Sequence, residues 1–248
     1  MIATTFTFLA CSAAFAQDTQ TPNEGRRVSY GVELAFRSGH ADRGFIISDR
    51  PVIQPVMWLS ARRTDLSVWS SFTLAETTDG SRPSILEIEL THAYKGGRVT
   101  VEPALRAFFY RDPLSPFSTR SIEGWLYLSY NAGPFRFFTN HSLDVQTYKG
   151  AYSVDAGIEA DGHLSPRVKA GASFSAGWGS ASFNDAWVGV ANAALDRVSA
   201  EGWVAAYVNP RLYIGPRVDF STILDRRVRT AAWRPSYVLV GLTVGGEF

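Results

Sequence analysis

Alternation with period two constrains this chain more than any other feature. In RVSYGVELAFR, residues 27–37, Val28, Tyr30, Val32, Leu34 and Phe36 share one parity; Arg27, Ser29, Gly31, Glu33 and Arg37 share the other. Successive side chains of an extended strand point to opposite faces, so this is a strand between an apolar and a polar phase. The pattern returns at Leu86, Ile88 and Leu90 against Glu87 and Glu89, and at Val99, Val101, Pro103, Leu105 and Phe109 against Thr100, Glu102 and Arg106. It returns again at Val168, Ala170, Ala172, Phe174 and Ala176, and at Leu212, Ile214, Val218 and Phe220. Only Trp187 to Leu195, inside a loop, has any helical character.

The alternation predicts twelve strands, at roughly 27–37, 52–61, 65–75, 84–94, 98–110, 121–130, 134–145, 150–160, 165–178, 197–208, 211–221 and 236–248. Their connections alternate in length. Tight turns are expected at 62–64, 95–97, 131–133, 161–164 and 209–210; mostly longer loops are expected at 38–51, 76–83, 111–120, 146–149, 179–196 and 222–235. Short turns at one end and long loops at the other mark an outer-membrane barrel. The expected fold is therefore all-β: a transmembrane antiparallel up-and-down β-barrel of about 12 strands, in the bacterial outer membrane.

A soluble sandwich also alternates, so the pattern alone does not say which face is wet. Three features put the apolar phase against lipid. Most strands carry full charges on the polar phase, which a packed core does not accept unpaired. Aromatics gather near strand ends: Trp58, Tyr94, Tyr130 and Phe135 toward one rim, and Phe36, Phe109, Tyr148, Trp178 and Phe220 toward the other. The last strand has Val238, Val240, Leu242, Val244 and Phe248 on one face and closes on Phe, which resembles the assembly signal of outer-membrane proteins. In hydrocarbon an open sheet edge is costly, so the first strand must pair with the last.

Composition removes other classes. The 248 residues carry 24 basic and 23 acidic side chains, net +1, too even for a bulk nucleic-acid binder. Mean hydropathy is −0.05, and no run of about 18 apolar residues exists, so membrane-spanning helices are excluded. Residues 1–16 read as an export signal with Ala14-Phe15-Ala16 before Gln17, residues 17–26 as a flexible lead and 27–248 as the barrel. The single cysteine, Cys11, falls inside the signal.

Parity sends Glu33, Arg37, Glu87, Glu89, Glu102, Arg106, Glu123, Arg136, Asp155, Glu159, Arg167, Lys169, Arg217 and Asp219 into the lumen. These are the candidate selectivity residues of a narrow channel for small solutes. Acids outnumber bases there, so a mild preference for cations or neutral solutes is expected. The competing reading is an ion-pair lattice that fills the lumen and stiffens the wall. Arg43 and Asp49, in the first loop, are the candidates for a segment folded in as a constriction. The loops are arginine-rich, which suits the phosphates of lipopolysaccharide and outer-membrane lipid.

No catalytic site is expected. His141 and Ser142 are adjacent and point to opposite faces, with Leu143 where a nucleophile would be needed. His40, His92, His141 and His163 lack metal-ligand spacing, and no phosphate-binding glycine loop occurs, so no cofactor is expected.

The stretch Ala41-Asp42-Arg43-Gly44-Phe45-Ile46-Ile47-Ser48-Asp49-Arg50-Pro51 resembles the first-loop signature of the TorF-like porins of bacterial outer membranes. Further likenesses are Val68-Trp69-Ser70-Ser71, Leu86 to Leu90 before Ala93-Tyr94, and Gly150-Ala151-Tyr152. That resemblance implies an outer-membrane channel without catalytic residues. The tail, from Ser182 to Val190, is more similar to barrels of the MipA/OmpV type. That likeness implies instead a non-conducting scaffold for cell-wall enzymes. A monomer is the default expectation for either.

Overall fold

The computed structural model describes residues 28–78, 80, 82–111 and 120–248. The signal and lead, 1–26, lie outside the described residues, as does most of the loop at 111–120. The strands are β1 (Val28–Arg37), β2 (His40–Asp42), β3 (Phe45–Ser48), β4 (Val52–Ala61), β5 (Thr64–Thr73), β6 (Ser84–His92), β7 (Tyr94–Gly96), β8 (Val99–Arg111), β9 (Arg120–Ala132), β10 (Phe135–Asp144), β11 (Tyr152–Ser165), β12 (Val168–Gly179), β13 (Ala194–Tyr207), β14 (Leu212–Ile223) and β15 (Ser236–Glu247). Two short helices, α1 (Ala181–Val188) and α2 (Arg226–Ala231), sit in loops.

All wall strands pair antiparallel with their neighbours. β6 and β7 form one stave interrupted at Ala93, so the wall has twelve staves. It closes through β1 and β15, with Leu34 opposite Val244 and Arg37 opposite Gly241. Among the described strands, closure leaves no row of unpaired backbone groups facing lipid.

The alternation now has its physical meaning. The outward phase is apolar and exposed: Leu34 is 46% and Val240 56% accessible. Their inward neighbours, Glu33 and Arg37 on β1 and Thr243 on β15, are buried or partly buried. A surface of this kind is stable only against hydrocarbon. The outward polar side chains satisfy one another. His92 Nδ1 lies 2.8 Å from Thr64 Oγ1. His141 Nδ1 lies 2.6 Å from Tyr152 Oη, and its Nε2 3.0 Å from Thr139 Oγ1.

Several boundaries differ from the sequence reading. β11 runs to Ser165 rather than ending near 160, and its turn falls on Pro166-Arg167. Helix α1 starts at Ala181 instead of near Trp187: Ser180 caps it by accepting from Phe183 N–H at 3.1 Å, and Gly189 ends it at φ 70°. Trp58 is not at a rim. It faces inward and is 3% exposed, lying over Gly31, its cross-strand partner on β1.

That Trp58–Gly31 pair is one of a set. Tyr213 lies over Gly245, Trp203 over Gly171 and Arg197 over Gly177, and Phe138 over Gly157. A Cβ on Gly31 would stand 2.0 Å from the Trp58 ring. Glycine therefore lets each large side chain lie along the wall instead of standing across the lumen.

Candidate functional site: a constriction beneath the first-loop hairpin

The first long loop does not stay outside. Residues Asp42-Arg43-Gly44-Phe45 form a tight turn, with Arg43 at φ 47° and Gly44 at φ 87°, and the β2–β3 hairpin enters the lumen. At its base, Gln54 Nε2 donates to His40 Nδ1 at 3.1 Å. At its tip, Arg43 Nη2 donates to Glu123 Oε1 on β9 at 2.9 Å, and Nη1 to Ser142 Oγ on β10 at 3.2 Å. Phe108, Trp125, Phe183 and Trp187 surround the guanidinium, their ring centroids 5.1–5.9 Å away. Burial alone would lower the Arg43 pKa, but Glu123 and Asp42 reverse this and raise it.

Above the tip, Phe45, Phe183, Ile223 and Val228 form a small core with Trp187 and Tyr148. This core joins the hairpin to α1 and α2. Tyr148, expected in an interfacial girdle, packs here instead. Asp49 sits in the same outer layer, accepting from Arg234 Nη2 at 3.0 Å and Thr78 Oγ1 at 2.9 Å. It fastens the loops together and does not line the cavity below.

The cavity, about 90 Å³, lies between the hairpin tip and the wall of β11–β15 and β1. Its charged lining is Asp42, Arg43, Arg37, Asp155, Arg197, Glu201, Arg217 and Asp219. Every carboxylate there has a guanidinium. Arg43 Nε lies 3.3 Å from Asp42, and Arg197 Nη2 2.7 Å from Asp155. Arg217 lies 2.7 Å from Glu201 and 3.0 Å from Asp219, and Arg37 also pairs with Asp219. Among the lining residues four acids meet four bases; Glu123 and Asp196, behind the lining, share Arg43 and Arg197 with them.

The lumen is lopsided. On β4–β9 the inward positions are bulky and sealed: Val56, Trp58, Trp69, Phe108, Trp125 and Tyr127 are all at most 7% exposed. Arg106, fully buried, bonds Glu87 at 3.1 Å and Glu89 at 2.7 Å and lies 3.9 Å from the Trp125 ring centroid. On β11–β13 many inward positions are small: Ser153, Gly157, Gly171, Ser173, Ser175, Gly177 and Ser199. Side-chain exposure rises along β11 toward the short-turn end, from 13% at Asp155 to 23% at Glu159 and 30% at Asp161. The inward carboxylates of β11 thus become more accessible toward the short-turn end, while the opposite half is packed.

Of the candidates named from sequence, Arg37, Arg43, Asp155, Arg217 and Asp219 line the cavity. Glu87, Glu89, Arg106 and Glu123 belong to the packed half, as does buried Glu102. Glu33 bonds Tyr213. Glu159 pairs with Arg136, and Lys169 with Asp161 at 2.7 Å, both near the short-turn end. Arg167 is exposed in the Pro166-Arg167 turn. Arg197 and Asp42 also line the cavity and are not among those candidates. The parity of Ser199, Glu201 and Trp203 points to Arg197, but the predicted strand began on that residue.

No protein-family model matches the chain, and no curated protein matches it in sequence. Solved structures match in shape. The COG4313 outer membrane channel from Pseudomonas putida F1 superposes with TM-score 0.53 at 8% identity, over 89% of this chain and 95% of that one. The NanC porin superposes with TM-score 0.51 at 13% identity, over 87% and 97%. The fold is that of bacterial outer-membrane barrels. At these identities the likeness carries the architecture alone, and each site must be argued from its own residues.

Proposed function

We propose that the chain is a channel of the bacterial outer membrane for passive diffusion of small polar solutes. One observation carries this reading: a cavity beneath the hairpin lined by equal numbers of acids and guanidinium groups, with the inward carboxylates of β11 increasingly exposed below it. About 90 Å³ of space open to water corresponds to about six water positions, the bulk of one small polar solute. Because acids and guanidinium groups are interlaced on the same wall, no transverse field sorts cations from anions, and selectivity between them is weak. The first-loop resemblance to TorF-like porins falls on the hairpin above this cavity, which supports the same reading at the level of family.

The test is solute flux through refolded, heat-modifiable barrel in liposomes. Swelling in small neutral sugars, cut off sharply with solute size, is the expected result. A folded barrel that passes neither ions nor sugars would contradict the reading and favour a non-conducting scaffold.

A further inference from the structure

The last long loop is tied to the outer wall of the barrel by Arg229. Its Nη1 donates to Thr222 Oγ1 at 3.0 Å, to Ser236 Oγ at 3.3 Å and to the Ile223 carbonyl at 2.8 Å. Thr222 and Ser236 are cross-strand partners on β14 and β15. Both continue the outward phase, Thr222 after Val218 and Phe220, Ser236 before Val238 and Val240. The guanidinium therefore sits on the outside of the wall, at its long-loop end.

The next outward rung is Phe220 opposite Val238, 41% and 60% exposed. Same-face residues of one strand are about 7 Å apart, so Arg229 stands one such step beyond the apolar band, at the level of lipid head groups. No carboxylate neutralises it. Asp225, the only acid in 222–235, accepts from the Arg227 and Val228 N–H groups at 2.9 and 3.0 Å, and Arg234 takes Asp49. Among the described residues, Arg226, Arg227 and Arg229 form no ion pair. All three bonds of Arg229 use Nη1 and neutral acceptors, which leaves Nε and Nη2 to an outside partner. Arg226, three residues earlier on α2, shares its helix face, while Val228 turns into the core with Phe45 and Ile223. Both arginines are exposed.

We propose that Arg226 and Arg229 form a binding site for a phosphate of lipid A, the membrane anchor of lipopolysaccharide, on the outer rim of β14–β15. A guanidinium fork matches a phosphate bidentately. Long loops of outer-membrane barrels lie on the outer face, so the head groups at this level belong to the outer leaflet, where lipid A carries phosphates directly on its acylated sugars. The site does not depend on whether the lumen conducts.

The test is native mass spectrometry of the detergent-folded barrel titrated with bisphosphoryl lipid A. Arg226→Gln combined with Arg229→Gln should weaken binding about tenfold. Arg98→Gln, exposed at the short-turn end, should leave it unchanged. Lipid A stripped of its phosphates should bind the wild type no better than the double variant binds the intact lipid. Arg229→Lys, which keeps the charge and loses the fork, should fall between wild type and double variant; if the double variant does not fold, this single variant decides, and unchanged affinity in it overturns the site. Equal binding by wild type and double variant would also overturn it. Phosphatidylglycerol held as tightly as lipid A would overturn the assignment to lipopolysaccharide, and displacement of lipid A by millimolar inorganic phosphate would overturn it in favour of the free anion.

Discussion

Arg43, at the tip of the first-loop hairpin, donates to Glu123 on β9 at 2.9 Å, joining residues eighty positions apart in sequence. Both side chains are 7% exposed. Breaking a buried pair by removing one partner leaves the other charge uncompensated, at about 3–5 kcal/mol. Arg43→Ala should therefore free the hairpin. The expected outcome is about a twofold rise in single-channel conductance as the hairpin leaves the lumen, and faster proteolysis between residues 41 and 50. Unchanged conductance and protection would mean that the hairpin is held by its aromatic surroundings alone.

His40 adds a pH dependence to the same hairpin. Burial lowers its pKa from 6.5 to about 4, with Asp42 opposing the fall and Arg37 adding to it. The freed hairpin titrates at the ordinary value, so between those limits it binds more protons than the docked one. Docking is at full strength above pH 6.5 and weakens as pH falls toward 4, by about 1.4 kcal/mol per unit. Hydrogen exchange of the hairpin amides should accelerate over that window. His40→Gln should flatten the profile; a profile that keeps its slope would assign the effect to another group.

Arg197 sits between Asp155 at 2.7 Å and Asp196 at 2.9 Å. Arg197→Gln removes the cation that the two carboxylates share and should turn a weakly selective pore toward cations. Reversal potentials in a tenfold salt gradient would read this as a shift of sign-consistent cation preference, roughly a severalfold permeability ratio. A shift toward anions would show that the constriction lies elsewhere.

How far the sequence speaks depends on contrast between the two faces of each strand. On β1 every outward residue is apolar or aromatic, and on β6 Leu86, Ile88 and Leu90 alternate with Glu87 and Glu89, so the positions of these strands and their inward charges are legible. β4 shows no such contrast: Val52, Val56 and Trp58 point inward while Ile53, Met57 and Leu59 point outward. Trp58 was misplaced for that reason, and the glycine opposite that seats its ring belongs to another strand. The hairpin is a tertiary event. Asp-Arg-Gly marks a turn, but Glu123, Ser142 and the rings around Arg43, which hold its tip inside, lie on other elements. Helix α1 had a readable cap, Ser180 with Gly189 nine residues on, obscured by the aromatic residues between them.

The glycine seats give a stability prediction. Gly31→Ala drives a methyl group into the Trp58 ring and displaces a buried side chain. Overpacking of this kind costs about 1–3 kcal/mol. The urea midpoint of the folded barrel should fall accordingly, and Gly31→Ala combined with Trp58→Leu should recover most of the loss. An additive double variant would disprove the contact.

Thiol accessibility tests the lopsided lumen most directly, because Cys11 precedes the wall strands and leaves the barrel free of native thiols. Ser199→Cys, in the cavity lining, should react quickly with a charged thiol reagent, and the reaction should cut the single-channel current. Ser67→Cys, inward on the packed side and 6% exposed, should react slowly and leave the current unchanged. The opposite order, or equal block from both positions, would contradict that asymmetry.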